Sequence, residues 1–245
     1  METYRAETYG DRIAGHYDEW YASADTAMVA TLAELAGPGP ALELGVGTGR
    51  IALPLRERGV EVHGIDASPG MIEKLHAKPG GQAIPVTLGD FGEIEPEGRY
   101  SLVYVVFNTF FALLSQEAQV RCFRNVAGCL AEGGSFLLEV FVPDPARLAM
   151  KNQAIPVDVT ADLLHLNVAK VDLINQRVNA QHIVMTDGAV RMYPVQIRYA
   201  WPAELDLMAQ LAGLELRYRW GGWSRERLAE DAGRHISVYA RKAKP

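Results

Sequence analysis

Three glycines at every second position, Gly45, Gly47 and Gly49, follow a short apolar run over 41–44 that carries one acid, Glu43. Glycine adopts φ > 0 readily and puts no Cβ between the backbone and a ligand. The helix expected after such a turn offers unpaired N–H groups at its N-terminus. Two further acids recur at nearly equal intervals: Asp66 comes 23 residues after Glu43, and Asp90 comes 24 after Asp66. Each closes an apolar segment, so the three acids are expected side by side at one edge of a sheet. An acid at the second such strand end accepts the hydroxyls of a ribose. The chemistry this suggests is the holding of a nucleoside-containing ligand over a bare turn. A G-x-G-x-x-G loop counted from Gly45 and Gly47 would need glycine at position 50, where Arg50 stands, and no G-x-x-x-x-G-K-[ST] is present. A cofactor without a pyrophosphate suits the loop better than a dinucleotide or a nucleoside triphosphate.

The elements that must position these residues read as an α/β alternation. Strands are expected over 41–44, 60–65, 84–88, 100–107 and 135–142. Helices are expected over 8–21, 24–36, 48–58, 69–76 and 115–130. Continuous apolar strands separated by helices imply a parallel sheet covered on both faces. After Pro143 and Pro145 the pattern changes. Extended runs over 163–174, 178–186 and 190–199, with a turn at Asp187-Gly188, read as an antiparallel insertion. A helix over 202–212 and strands over 214–220 and 235–241 then complete the α/β pattern. The partition expected is one domain over 1–245: a helical lid over 1–40, a cofactor-binding core over 41–150, the insertion over 151–200 and the end of the sheet over 201–245.

Composition narrows the class. The chain has 245 residues, 24 Lys plus Arg against 30 Asp plus Glu, and a net charge of −6. That balance disfavours general nucleic-acid binding, which needs clustered cations. Cys122 and Cys129 lie seven residues apart in one expected helix, roughly 10 Å along its axis. A disulfide needs less than about 7 Å, so they read as core thiols of a reducing compartment. The opening METYRAETYGDR has no apolar signal core, and the apolar stretch over 102–114 is shorter than the ~20 residues of a membrane span. A cytoplasmic protein with no membrane partner is expected.

Several motifs together carry a resemblance. Glu43-x-Gly45-x-Gly47-x-Gly49 resembles motif I of the class I S-adenosylmethionine-dependent methyltransferases, and Val62-His-Gly-Ile-Asp66-Ala-Ser68-Pro-Gly-Met71 resembles their second motif. Gly89-Asp90-Phe91 resembles the adenine-side motif, and Leu130-Ala-Glu-Gly133-Gly134 the L-x-x-G-G turn. The helical N-terminus with Tyr17-Asp18 is similar to members that act on small molecules. The insertion is similar to that of sugar-amine N-methyltransferases of antibiotic pathways. The resemblance implies a seven-stranded, mostly parallel Rossmann-like sheet with helices on both faces, N-terminal helices, and an antiparallel β insertion between strands 5 and 6. It implies S-adenosyl-L-methionine as cofactor. Gly45, Gly47 and Gly49 would lie under the methionine part with Glu43 near its ammonium group. Asp66 would take the ribose hydroxyls, with Ala67, Ser68 and Met71 beside ribose and adenine. Asp90 would meet the adenine amino group with Phe91 beside it, and Phe107 would face the ligand.

The activity implied is methyl transfer to a nitrogen or oxygen of a small molecule of natural-product or nucleotide-sugar type. An amine acceptor needs only its neutral form, whereas a hydroxyl needs a general base, most often His. Glu139 at the end of the fifth strand and His182 in the insertion are the candidate bases. Tyr17, on a leading segment that also carries Tyr9, Trp20 and Tyr21, is the candidate lid residue, because an aromatic face attracts a cation. Asn108, Phe110, Phe141, Arg198 and Trp223 are the candidate acceptor contacts. His235 is expected at the surface, and no metal is expected. The insertion is expected to form a cap or a homodimer surface. The rival readings are an NAD-dependent oxidoreductase and a non-catalytic S-adenosylmethionine-binding protein. No N-P-P-Y or D-P-P-Y segment of nucleic-acid methyltransferases is present; Phe107-Asn-Thr-Phe110 stands in its place.

Overall fold

The computed structural model describes residues 4–21 and 24–242. Residues 1–3, the first of the METYRAETYGDR segment, lie outside them. Three short helices lead: α1 (Thr8–Ile13), α2 (Tyr17–Trp20) and α3 (Thr26–Ala36). They are followed by β1 (Ala41–Leu44), α4 (Ala52–Glu57), β2 (Val62–Asp66), α5 (Pro69–His76), β3 (Val86–Leu88), β4 (Tyr100–Val105), α6 (Gln116–Cys129), β5 (Leu130–Phe141) and α7 (Pro145–Ala149). The four strands β6 (Asn152–Val159), β7 (Leu163–Asp172), β8 (Arg177–Thr186) and β9 (Ala189–Arg198) come next. The chain ends in α8 (Pro202–Leu211), β10 (Leu214–Trp220) and β11 (Arg234–Arg241). No helix among the described residues is long and apolar enough to cross a membrane.

The main sheet has seven strands in the order β10-β11-β5-β4-β1-β2-β3. Six point the same way, and β11 is antiparallel to both of its neighbours. β1, at the centre, is buried along its whole length, as a strand covered on both faces must be. One core packs Phe123, Val126, Leu205 and Met208 of α6 and α8 against Leu42, Val103, Phe136 and Leu138. The other packs Met28, Leu32 and Leu55 of α3 and α4 against Leu102, Tyr104, Leu137 and Ile236. Side-chain oxygens cap the helix starts: Asp25 accepts from Ala27, Ser68 from Met71 and Ser115 from Ala118. Both cysteines are buried, and burial pushes the Cys129 thiol up to about 11.

The insertion is a separate antiparallel sheet, β6-β7-β8-β9, between the fifth and sixth strands of the main sheet. One face, with Val184 and Tyr193, packs on the N-terminal helices through Ile13, Tyr9, Tyr17 and Trp20.

The structure departs from expectation in four places. The helix expected over 8–21 is two helices, because the chain at His16 leaves helical geometry (φ −125°, ψ −3°) just after Gly15. The helix expected from 48 begins at Ala52, the glycine turn occupying the positions before it. β6 was not foreseen: Pro156 interrupts its pattern, and an edge strand with a register shift beside that proline is where proline is tolerated. His235 is fully buried rather than at the surface, since β11 lies between β5 and β10 and its start faces Val140.

Arg198 is also a correction. It was expected to meet the acceptor, but it is 6% exposed and spent on an internal clamp. Its guanidinium donates to Gln119 Oε1 of α6 (2.5 Å), Gln176 Oε1 (3.2 Å) and Glu204 Oε1 of α8 (2.6 Å). One side chain thus ties the insertion to two helices of the main body. Removing one partner of a buried pair leaves the other uncompensated. Arg198→Ala is expected to lower unfolding free energy by about 3 kcal/mol in urea titrations followed by circular dichroism.

Candidate functional site

The carboxyl ends of β1 and β2 are joined by backbone and by one carboxylate. The Gly45 and Val46 N–H groups both donate to Ile65 O, at 2.8 and 3.1 Å. Gly45 has φ +76°, and a Cβ there would overlap the Thr109 methyl group; Gly47 has φ +55° with open space above it. That combination requires glycine at both positions. Asp66 Oδ2 accepts the Gly47 N–H (2.7 Å) and Oδ1 accepts the Ser68 N–H (2.9 Å). Burial raises the Asp66 carboxyl, and these two backbone bonds oppose the shift. The carboxylate is therefore held at one angle beside the bare turn.

Above it lies the N-terminal layer. Ser68 Oγ donates to Asp11 Oδ1 (2.5 Å), which also accepts the Gly70 N–H. Thr48 Oγ1 donates to Asp18 Oδ1 (2.6 Å), and Lys78 pairs with Asp18 (2.8 Å). The hydroxyls of Tyr9 and Tyr21 are 3.3 Å apart, and the Tyr17 and Tyr21 rings are 4.8 Å apart. Burial pushes the Tyr17 hydroxyl up to about 12 against the opposing pull of Arg50 nearby.

Beyond β4 the chain takes two consecutive left-handed residues, Phe107 (φ +59°) and Asn108 (φ +65°). Neither is glycine, so the conformation is strained and must be held from outside. Glu139 does much of this. Its Oε2 accepts the Phe107 N–H (3.1 Å), and its Oε1 accepts from Trp223 Nε1 (3.1 Å) and Arg234 (3.2 Å). Asn108 Oδ1 accepts the Phe141 N–H (2.7 Å). The Phe107 ring is left 41% exposed, with the Arg50 guanidinium 4.7 Å above it and the Tyr21 edge 5.0 Å away.

These parts enclose a cleft of about 380 Å³, within the range of small-ligand sites. Of the residues expected at the site, Tyr17, Gly45, Gly47, Asp66, Ala67, Met71, Asp90, Phe91, Phe107, Asn108, Phe141 and His182 line it. Six do not. Gly49 packs under the loop near Leu75 and Leu53. Glu43 is buried behind the turn, where Tyr104 donates to its Oε2 (2.9 Å). Phe110 is fully buried, its ring 5.4 Å from that of Phe123. Trp223 is buried with its N–H on Glu139, whose own oxygens are both engaged. Arg198 forms the clamp described above. Tyr4, Thr109 and Ile197 line the cleft without having been expected there. A larger hollow of about 720 Å³ opens under the loop over 94–99, toward the amino ends of β1 and β4 and away from these residues.

Arg50 is the residue that sequence reasoning missed as a binding group, having been weighed only as an absent glycine. Its Nε is buried without a hydrogen-bond partner. It lies near Glu43, whose carboxyl burial pushes up to about 8 while Tyr104 and Arg50 pull it down. A cation with a spare donor matches the carboxylate of an amino acid. Asp66 and Asp90 supply acceptors for a ribose and an adenine amine, with Met71 and Phe91 as apolar neighbours. The residues present thus fit S-adenosylmethionine along its length.

The comparisons agree with that fit. Residues 41–134 match the family described as methyltransferase domain. The structure of the CcbJ methyltransferase from Streptomyces caelestis is 42% identical, with a TM-score of 0.91 over 98% of this chain and 100% of that one. The cypemycin N-terminal methyltransferase of a Streptomyces species is 28% identical over 178 residues, 71% of this chain and 72% of its own length. CalS10 with bound cofactor, an amino pentose methyltransferase from Micromonospora echinaspora, shares the fold at 18% identity and a TM-score of 0.65, over 89% of this chain and 93% of that one. The chain belongs to the S-adenosylmethionine-dependent methyltransferases, and S-adenosylmethionine is its cofactor.

Glu43 gives a test that needs no acceptor. Its folded pKa near 8 lies above its ordinary 4.5. The folded state therefore holds the proton more tightly than the unfolded chain, and stability falls as pH rises through that window. Glu43→Gln removes the penalty while keeping an acceptor for Tyr104. Scanning calorimetry of the ligand-free protein should show no gain for the variant near pH 4.5 and a gain of about 4 kcal/mol by pH 8.

Proposed function

We propose that the protein methylates an amine nitrogen of a small molecule of natural-product or nucleotide-sugar type, with an oxygen acceptor as the second reading. The observation that carries this is the make-up of the cleft's outer half. It is walled by the rings of Tyr9, Tyr17, Tyr21, Phe107 and Phe141 and contains one imidazole, His182. The His182 pKa is lowered, first by burial and then by the charge of His165, so the ring is neutral at pH 7. Aromatic faces attract a cation, and a neutral amine needs little activation. The names of the cypemycin and amino pentose relatives point to nitrogen as well.

When bound, S-adenosylmethionine supplies an electrophilic methyl group on a cationic sulfur. The chain's part is then alignment and exclusion of water, which at best contributes about 7–11 kcal/mol. Asp66 would hold the ribose, Asp90 and Phe91 the adenine, Arg50 the carboxylate of the amino-acid end, and the backbone from Gly45 to Gly47 the floor, with Glu43 behind it. Tyr17 would close over the sulfonium from the N-terminal layer. Asn108 and Phe141 would meet the acceptor, and His182 would receive its proton. Glu139 would act through the Phe107 backbone, as a positioning residue.

The outer face of the insertion favours a second copy of the chain as partner. Cross-strand rows Val159–Leu164–Met185–Val190 and Leu166–Ile183–Met192 place apolar residues across the sheet, and Val159, Val190 and Met192 are 64%, 65% and 51% exposed. A contiguous apolar face of this kind marks an interaction site. Light scattering after size exclusion is expected to give a dimer or higher closed oligomer, and Met192→Lys to shift it toward monomer.

Calorimetry with S-adenosylhomocysteine should show saturable binding, weakened by about 10–100-fold in Asp66→Ala through loss of charge-assisted contacts. A panel of primary and secondary amines with matched alcohols, scored by mass spectrometry for methylated product, should yield amines. Turnover confined to alcohols would overturn the nitrogen assignment.

A further inference from the structure

The insertion carries a second polar device that cofactor binding does not use. His165 on β7 and His182 on β8 are diagonal neighbours on the face turned toward the cleft, and His165 Nε2 lies 3.0 Å from His182 Nδ1. Trp20 of α2 covers both, its ring 4.9 Å from that of His165 and 6.3 Å from that of His182. Tyr193, opposite His182 in the sheet, packs edge-on against Trp20 at 4.9 Å. His182 lines the cleft. With its Nδ1 engaged by His165, Nε2 is the ring nitrogen left for a ligand. His165 sits opposite Asp158 of the edge strand β6, and Asp158 is exposed. The three residues form a line from the cleft across β8, β7 and β6 to the rim of the insertion.

We propose that His182 and His165 are a proton relay that carries the proton shed by the acceptor nitrogen out of the cleft to solvent beside Asp158. The proposal rests on the amine reading above. An amine that enters or leaves as an ammonium ion must lose a proton, and an aromatic-walled cleft offers little water to take it. The N–H bond breaks, its electron pair stays on nitrogen, and the proton joins His182 Nε2. The Nδ1–H bond of His182 then breaks, and that proton joins His165 Nε2. His165 releases its Nδ1 proton to water at the rim. Both rings end neutral in the opposite tautomer, and exchange with water in the emptied cleft restores them.

The surrounding charges set the direction. Burial lowers the pKa of both rings; Asp158 opposes this at His165, whereas at His182 the charge of His165 adds to it. From the other elements, Arg191 lies across β9 from Val184 and is hydrogen-bonded to His16, which is paired in turn with Glu19. Arg191 is thus a cation on the same face, engaged with His16 and Glu19. The outer position is the better resting place for one shared proton.

The test begins with ring-nitrogen NMR of the ¹⁵N-labelled full chain saturated with S-adenosylhomocysteine. The expected neutral state has His182 protonated at Nδ1 and bare at Nε2. Acidification should protonate His165 first, and His165→Phe should raise the His182 midpoint and collapse the two steps to one. Asp158→Asn, at the surface, should lower the His165 midpoint. With an amine accepted in the panel, kcat of His165→Phe should fall by about 10²-fold, the lower end of general-base contributions, and recover on adding imidazole. S-adenosylhomocysteine affinity should stay unchanged, which separates failure of the relay from failure of the cofactor reading. A His182 proton resident on Nε2 in the complex, or an unchanged kcat in His165→Phe, would overturn the relay.

Discussion

The contact on which the site depends is the 2.7 Å hydrogen bond from the Gly47 N–H to Asp66 Oδ2. It ties the bare turn after β1 to the acid that ends β2, and so sets the distance between the floor of the cleft and its ribose-binding group. The carboxylate serves two purposes at once. Its backbone bonds to Gly47 and Ser68 hold the local chain, and the lone pairs left over face the cleft. An amide in its place would offer a single acceptor oxygen, and an alanine would release both the turn and the start of α5.

The rest of the molecule supports this arrangement by layers. Parallel strands β1, β2 and β4 bring their carboxyl ends to one edge, where ligands of open α/β sheets bind. The N-terminal layer is pinned to that edge through Asp11 on Ser68 and Asp18 on Thr48 and Lys78. The insertion closes the outer side and is anchored behind by Arg198. The strained pair Phe107–Asn108 is held by Glu139 and by the Phe141 backbone. Strain of this kind persists only where its surroundings over-determine it, and here it leaves one aromatic ring facing the cleft beneath Arg50.

Much of this was legible in the sequence, for definite reasons. The core strands read correctly because a strand buried on both faces is a continuous apolar run. Gly45, Gly47, Asp66 and Asp90 stood out because strand-end acids and a bare turn recur at strand–helix spacing. What stayed hidden depends on tertiary context. Arg50 is distinguished by its buried Nε and by its approach to Glu43, neither of which is a sequence pattern. Arg198, Trp223 and Phe110 have types common to pockets and to cores, and only the fold shows that their partners are internal. β6 escaped notice because an exposed edge strand containing Pro156 lacks an apolar rhythm. His235 looked terminal in its strand, yet the sheet order places that strand between two others. The pairing of His165 with His182 joins residues on different strands, and it appears only once the register of β7 and β8 is known.

The most direct measurement of the central claim is a crystal structure of the protein with S-adenosylhomocysteine. The account predicts the ribose hydroxyls on Asp66, the amino-acid end over the turn from Gly45 to Gly47 with its carboxylate on Arg50, and the Gly47–Asp66 hydrogen bond intact. A ligand seated in the hollow beneath the 94–99 loop, or a ribose bound away from Asp66 with that hydrogen bond broken, would contradict it.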